Sequence, residues 1–288
     1  MKSLSWNIIL RNSLSHRSFF IGLILSLIMV LTGILSLFWT PFPVEMLDIP
    51  HKLEGPSGKH WLGTDHFGRD LFSMLMTGAW NSMLVSVFAI SLGAGLGVPL
   101  GILAAAKRGF VEETVMRFND FAFAFPALLT AVMLSAVYGP GTLNSVLAIG
   151  IFNIPVFARI SRGSALTIYN REFILAARIS GKGELQIALE HILPNILSVL
   201  IVQVTIQFAL GILAEAGLSY LGLGTQPPQP SWGKMLSEAQ TMMFIAPQLT
   251  IFPGLAIVST VLGLNLLGDG LRDILDPRLS NKYSLKIN

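Results

Sequence analysis

The sequence contains no cysteine and few charged residues. The absence of cysteine excludes disulfide bonds, thiolate nucleophiles and iron–sulfur clusters held by thiolates. Charged residues make up 12% of the chain, whereas a soluble domain usually carries about 25%. The phosphate-binding pattern G-x-x-x-x-G-K-[ST] is also missing, because Gly181-Lys182-Gly183 has neither the hydroxyl residue nor a preceding strand. We therefore expect no ATP site in this chain.

Catalytic and metal-binding patterns are missing as well. No histidine pair has ligand-like spacing on one helix among His16, His51, His60, His66 and His191. Glu215 is the only acidic residue near the core of a hydrophobic segment, where a lone carboxylate is expected to be paired or to face an aqueous vestibule. We expect no catalytic residue, metal or cofactor in this chain. A basic face with aromatic or groove-reading elements is also absent, which argues against nucleic-acid binding.

Hydrophobic residues are abundant, at 52%, and they form long uncharged runs. These runs cover residues 18–44, 71–106, 121–158, 191–214 and 239–268. A helix needs about 20 apolar residues to cross the roughly 30 Å hydrocarbon core, and helices satisfy their own backbone there. The third run is too long for one crossing and carries the turn-forming residues 138–141, Tyr-Gly-Pro-Gly, near its middle. We therefore predict an all-α membrane protein with six transmembrane helices, near 19–39, 80–104, 120–138, 143–160, 195–215 and 248–268.

The distribution of lysine and arginine predicts how these helices are oriented. With six spans and both termini on one side, that side carries fifteen of the 19 basic residues and the other side carries four. Because cytoplasmic loops are enriched in lysine and arginine, both termini are predicted to be cytoplasmic. The first hydrophobic run is too long for a signal peptide and no small-residue cleavage site follows it, so it is interpreted as an uncleaved anchor.

A charged segment over residues 171–195, REFILAARISGKGELQIALEHILPN, lies between two hydrophobic runs. It contains Ala176-Ala177, then Gly181, then Leu193-Pro194 just before the next span. This spacing resembles the cytoplasmic coupling loop of bacterial ABC-transporter permeases. Leu175 stands where that family usually has glutamate. His191 stands where many members have isoleucine, a feature common in the peptide and nickel branch.

Three further segments resemble the C-type permease subunit of dipeptide, oligopeptide and nickel importers. They are residues 60–70 (HWLGTDHFGRD), residues 217–236 (GLSYLGLGTQPPQPSWGKML) and residues 267–278 (LGDGLRDILDPR). The resemblance covers most of the chain after residue 60 and implies the type I ABC importer permease fold. It divides the chain into a cytoplasmic lead over 1–18, a first helix over 19–39, an external loop over 40–79 and a permease core over 80–288. The core includes a coupling loop over 161–194 and a cytoplasmic tail over 269–288.

The resemblance also implies a function and partners. The chain is expected to pair with a paralogous permease in the bacterial inner membrane and to form the path for di- or oligopeptides delivered by an external binding protein. Two separate subunits would bind ATP and magnesium and would dock on the coupling loop. The residues implied in coupling are Arg171, Glu172, Ala176, Ala177, Gly181, Leu193 and Pro194. A nickel or other small-solute importer of the same family remains an alternative.

Polar residues inside the predicted spans are candidates for a solute path. Gln203 and Gln207 are four residues apart and share one face of the fifth span, while Asn153 and Asn265 lie in the fourth and sixth. Hydrogen bonding between helices is the alternative role for all four. An ion-coupled secondary transporter would instead carry buried charges and an internal repeat, and neither is evident.

The external loop offers a second group of candidates. Asp65 and Asp70 flank Arg69, and the glycines at 63 and 68 allow tight turns between them. These charged residues are predicted either to hold a folded cap on the next helix or to contact an external partner.

Overall fold

A computed structural model describes residues 17–275, and within that range the chain is built of helices and connecting loops. The helices are α1 (Arg17–Ser36), α2 (Leu71–Lys107), α3 (Gly109–Phe123), α4 (Ala127–Tyr138), α5 (Thr142–Tyr169), α6 (Glu172–Ile179), α7 (Glu184–Tyr220), α8 (Trp232–Ala239) and α9 (Gln248–Leu275). A π-helical turn, Ala188–Ile192, interrupts α7 near its start. The predicted lead up to residue 16 and the predicted tail from residue 276 lie outside the described residues.

Five helices, α1, α2, α5, α7 and α9, are long and apolar enough to span a membrane. They match five of the six predicted spans, although α2 begins at Leu71 rather than near residue 80. The predicted turn at 138–141 is confirmed, because α4 ends at Tyr138 and α5 begins at Thr142.

The predicted third span, 120–138, is not one straight helix. Its sequence is divided between α3 and α4, which meet at an angle of 76°. Pro126 lies in the break and begins α4. A proline disfavours helical geometry in the residue before it, so α3 ends at Phe123 and the chain turns over Ala124 and Phe125. The two helices together make the sixth crossing if the bent pair spans the membrane.

Helix α2 packs closely along α5 because small residues line the contact. A side chain placed on Gly97 would lie 2.8 Å from the Cβ atom of Phe157, and one on Gly101 would lie 2.8 Å from the Cβ atom of Ser161. Gly93 makes a similar approach to Asn153. Glycines let neighbouring helices in a membrane approach closely, and these three residues make that approach possible between α2 and α5. Gly95 does not share it, since no atom of a neighbouring helix lies within 4 Å.

Candidate coupling surface and transport path

Helix α6 is a short amphipathic helix in the middle of the predicted coupling loop. Ile174 and Ala177 are three residues apart and therefore lie on the same face of the helix, where they are buried. They pack in a hydrophobic cluster with residues at the ends of α2, α5 and α7. Glu172 stands in the first turn and Arg178 in the last, which complements the helix dipole. The buried face fixes α6 against the ends of the spans.

Gly181 ends α6. Its φ angle is +83°, in the left-handed region that glycine adopts without steric cost. The backbone N–H of Gly181 donates to the carbonyl of Arg178 at 2.9 Å, and that of Lys182 donates to the carbonyl of Ala177 at 3.2 Å. This pair of bonds is the Schellman arrangement. The chain consequently reverses sharply after Ser180.

The outward face of α6 is apolar and exposed. The exposed fraction is 55% for Leu175 and 88% for Ile179. Phe173 and Ala176 are exposed on the same helix. Exposed clusters of large apolar side chains are typical of surfaces that contact another protein, a membrane or a ligand. Of these residues, only Ala176 belongs to the coupling residues that the family resemblance implies.

The charged residues after α6 pair with one another. Arg178 makes an ion pair with Glu184 at 3.1 Å, and Lys182 bonds to Glu190 and lies 3.2 Å from Nε2 of His191. These contacts tie the end of α6 to the first turns of α7. Arg171 and Glu172 are exposed and form no ion pair within the described residues.

Leu193 and Pro194 lie where the loop becomes a membrane helix. Pro194 lacks the N–H that an α-helix uses, and its ring crowds the carbonyl four residues earlier. The π-helical turn Ala188–Ile192 ends immediately before this position, and such turns appear as local bulges inside α-helices. The wider turn accommodates the proline, so α7 continues from the loop into the membrane as one helix.

The candidate path residues differ in exposure. Gln207 and Asn153 are buried, Gln203 is partly buried and Asn265 is exposed. Asn153 donates through Nδ2 to the carbonyl of Ile149 at 2.8 Å in its own helix. Its Oδ1 atom is buried and has no hydrogen-bond partner among the described residues. The hydrogen bonds found within residues 17–275 include none from the Gln203 or Gln207 side chain to another helix.

The loop before α2, which was predicted to be external, folds as a cap, and the three candidate charges hold it together. Asp65 Oδ2 accepts from Arg69 Nε at 2.6 Å, and Asp65 Oδ1 accepts the backbone N–H groups of Phe67 and Arg69 at 2.8 Å. Arg69 Nη2 then reaches Glu238 of α8 at 2.7 Å. Asp65 and Arg69 are both buried. The cap is thereby joined to α8 by one arginine between two carboxylates.

Asp70 does not pair with Arg69, in contrast to the local pairing expected from the sequence. It caps the N-terminus of α2, since Oδ2 accepts from the backbone N–H of Ser73 at 2.8 Å and from its hydroxyl at 2.7 Å. The other oxygen, Oδ1, lies 2.9 Å from His60 Nδ1. Gly68, with φ of +78°, allows the turn that separates the two aspartates. Asp65 and Asp70 are both buried and present no free carboxylate to an external partner.

Two other groups at this end of the molecule have structural explanations. Asp65, His66 and Glu238 bring potential metal-ligand atoms within 4.8 Å of one another, but both carboxylates already bind the cationic Arg69. Glu215 is buried and accepts from Ser82 Oγ at 2.7 Å and from Ser219 Oγ at 2.6 Å. Those hydroxyls provide the pairing that is expected for a lone carboxylate in a hydrophobic segment.

Comparison with known proteins identifies the family. The profile described as "Binding-protein-dependent transport system inner membrane component" matches residues 97–281, more than half of the chain. The chain belongs to this family. It is therefore a multi-pass permease subunit of an ABC importer, a transport component of the bacterial inner membrane without an ATPase site of its own.

Curated relatives place the permease in the dipeptide and oligopeptide branch. It is 44% identical over 257 residues to the glutathione transport system permease protein GsiD of Pectobacterium atrosepticum, covering 88% of this chain and 85% of the relative. It is 42% identical over 254 residues to GsiD of Escherichia coli O6:K15:H31, covering 88% and 84%. The resemblance read from residues 60–70, 171–195, 217–236 and 267–278 is thereby confirmed at the level of the family.

Solved structures support the predicted permease fold. An inward-facing structure of the MetNI methionine ABC transporter contains a chain that matches with a TM-score of 0.60 at 19% identity. The match covers 70% of the permease described here and 97% of the other chain. The predicted type I importer architecture is therefore confirmed.

Proposed function

We propose that this permease pairs with a second, related permease and forms with it the path for a small peptide, of which glutathione is one example. An external binding protein delivers the solute, and two ATP-binding subunits drive transport. The observation that carries this proposal is the identity of 42–44% to permeases named for glutathione transport, over 88% of the chain.

The outward face of α6 is the proposed docking site for one ATP-binding subunit. Ile174 and Ala177 occupy the inward face and are buried, so the exposed Leu175 and Ile179 are available to a partner. The chain reversal at Gly181 leaves the end of α6, and with it Ile179, at the edge of the loop. The proposed contact is an apolar tip inserted into a groove of the ATPase.

The connection of the loop to α7 gives docking a mechanical effect. Lys182 bonds to Glu190 and Arg178 to Glu184, so α6 is held against the first turns of α7. Because α7 is continuous from Glu184 to Tyr220, a displacement of the loop tilts the helix that carries Gln203 and Gln207. Rigid-body motion of this kind alternates access between the two sides of a membrane.

We expect cysteines introduced at Gln203 and Gln207 to react with a water-soluble thiol reagent in the assembled transporter. Their amides form no bond to another helix within the described residues, but Gln207 is buried and Gln203 partly buried in this chain, so labelling requires that the path open on this side of α7. Val202 and Ile206 lie on other sides of the same turn, so cysteines there serve as matched controls and should remain unreactive. The natural chain has no cysteine, and labelling is therefore confined to the introduced residue.

The measurement is the labelling rate in membranes with and without trapped ATP. Rates at 203 and 207 should differ between the two states, because access alternates. Equal lack of reaction at all four positions, at normal protein level, would contradict the path and leave the glutamines as contacts between subunits.

The solute is tested by uptake in proteoliposomes containing both permeases and both ATP-binding subunits. With the binding protein present, ATP-dependent uptake of radiolabelled glutathione or a dipeptide is expected, and unlabelled peptide should compete. Uptake of nickel without competition by peptides would support the alternative importer instead. Uptake that persists without ATP and stops when an ion gradient is removed would contradict the ABC mechanism.

A further inference from the structure

A basic cavity lies at the C-terminal end of α2. The distribution of charges assigns this end of the helix to the cytoplasm. It has a volume of about 450 Å³ and lies between the end of α2, the end of α5 and the helix α6. Its charged lining residues are Lys107, Arg108 and Arg178. Its neutral lining includes Tyr169 and Leu175. The cavity therefore presents three cationic side chains around a small space.

An apolar groove adjoins this cavity. It has a volume of about 410 Å³ and runs between the last turns of α2 and the first turns of α7. Ala106, Lys107 and Tyr169 line both spaces, so the groove and the cavity share a wall. Leu185 and Leu189 on the groove are 75% and 58% exposed. Large apolar residues with this exposure, next to a cationic cavity, suit a ligand with a charged head and an apolar tail.

The charges at the cavity are only partly neutralised. Arg178 pairs with Glu184, which lines the groove. Arg108 donates to the neutral side-chain oxygen of Asn170 at 2.8 Å. Within residues 17–275, no carboxylate oxygen lies within 4 Å of the Lys107 or Arg108 side chain. Two cationic groups consequently remain to attract an anion.

A buried hydroxyl is a second and independent indication of a ligand. Tyr169 is 5% exposed, and its hydroxyl has no hydrogen-bond partner among the described residues. Leaving such a group without a partner costs about 1–3 kcal/mol in general. Tyr169 lines both the cavity and the groove, so the residue that carries this unpaired hydroxyl lies at their junction.

We propose that the cavity and groove bind one anionic phospholipid of the inner leaflet. The phosphate is held by Lys107 and Arg108, the Tyr169 hydroxyl bonds to the headgroup or glycerol region, and an acyl chain occupies the groove. Basic pockets between membrane helices on the cytoplasmic side bind anionic headgroups for these electrostatic reasons. A free phosphate ion would leave the apolar groove empty, and a neutral lipid would leave the cations unpaired.

The bound lipid would act on coupling because the cavity wall includes α6. Leu175 and Arg178 contribute to that wall, and both belong to the helix proposed to meet the ATPase. The phospholipid would fill the space between α6 and the ends of α2 and α5. It would thereby stabilise the docking helix in one position and raise the coupling of ATP hydrolysis to uptake.

The test is native mass spectrometry of the assembled transporter released from nanodiscs. One nanodisc contains phosphatidylglycerol and the other contains phosphatidylcholine, with matched acyl chains. We expect phosphatidylglycerol to be retained and phosphatidylcholine to be lost. A third arm adds inorganic phosphate at millimolar concentration, which should not displace the lipid. Equal retention of both lipids, or displacement by inorganic phosphate, would overturn the proposal.

Variants assign the retained lipid to this site. The double substitution Lys107→Gln and Arg108→Gln should weaken retention about tenfold or more, from the loss of two cationic contacts. Arg117→Gln is the matched control, because Arg117 is 76% exposed on α3 and does not line either space. Retention that falls equally in the control would indicate general surface charge and would overturn the specific site.

The groove is tested separately by Ala106→Trp, which fills the shared wall, and by Leu185→Gln, which makes an exposed groove residue polar. Both should reduce retention of phosphatidylglycerol, and Leu185→Gln should leave the melting temperature unchanged because the side chain is 75% exposed. Full retention in both variants would overturn the acyl-chain position. The contrary result is that a cysteine introduced at position 106 is buried by a partner subunit in a complex prepared without lipid. That result would show that protein, and not lipid, fills the groove.

Discussion

Replacing Ile179 with glutamine is expected to weaken binding of the ATP-binding subunit about 10-fold to 100-fold. Ile179 is 88% exposed in the isolated chain, so the change removes little packing and should alter folding by about 0.5 kcal/mol or less. Full burial of an isoleucine side chain at an interface is worth about 1.5–3 kcal/mol, and each 1.4 kcal/mol corresponds to about tenfold in affinity. The substitution should therefore lower the affinity for the ATP-binding subunit and leave the free energy of unfolding nearly unchanged.

The measurement is the dissociation constant of the ATP-binding subunits from the permease pair in nanodiscs, together with stimulated ATP hydrolysis. Ile245→Gln is the matched control, because Ile245 is 72% exposed and lies between α8 and α9, on the side opposite the coupling loop by the predicted topology. Unchanged affinity in Ile179→Gln at normal expression would show that α6 docks by its charges instead of its apolar tip.

The sequence was sufficient to predict the helices because hydrophobic length is a local property. The runs over 18–44 and 239–268 each hold one span, and the residues that end them are evident in the chain. The bend between α3 and α4 was missed although Pro126 was visible, because an uncharged run does not reveal where the chain changes direction. Pro126 explains the break, but the angle of 76° also reflects where α3 lies against α5, which Arg159 contacts through Asp120 at 2.6 Å.

In the candidate site too, features set by one residue are visible in the sequence, whereas contacts between residues far apart in the chain are not. Gly181 is part of the spacing that is visible in the sequence, and its φ angle of +83° ends α6, because one residue specifies a chain reversal of this type. The partner of Arg69 in α8 was not predictable, since Glu238 is 169 residues away in the chain. The sequence also does not predict that the Ile179 side chain is exposed. Periodicity can suggest which residues share a face but cannot tell a buried apolar face from a docking face.

The basic cavity could not be predicted from the sequence. In the sequence, Lys107 and Arg108 count only as evidence for orientation, and Arg178 is one of the charged residues of the coupling loop. Their convergence depends on the ends of α2 and α5 meeting α6, which is a tertiary contact. A basic residue near a membrane surface is common, and the structure alone distinguishes the three that surround one space.

Replacing Gly181 with aspartate is expected to reduce uptake at least tenfold while the protein remains in the membrane. A residue with a side chain in the left-handed region generally costs about 1–2 kcal/mol, and the two bonds that end α6 depend on that conformation. Apart from its chain neighbours, a Cβ atom placed on residue 181 would have no atom of residues 17–275 within 4 Å. The permease can therefore still fold, but the end of α6 and its added charge would face the docking partner.

Two matched variants separate strain from charge. Gly181→Asn has nearly the same shape as aspartate and tolerates the left-handed region comparatively well, so it should retain more uptake than Gly181→Asp. Gly183→Asp adds the same charge two residues away, where φ is −72° and the region is open, and it should reduce uptake less than twofold. Uptake is measured with the assembled transporter, and the permease level is measured by immunoblot. Normal uptake in Gly181→Asp at a normal permease level would remove Gly181 from the coupling mechanism, whereas equal losses in both aspartate variants would assign the effect to charge alone.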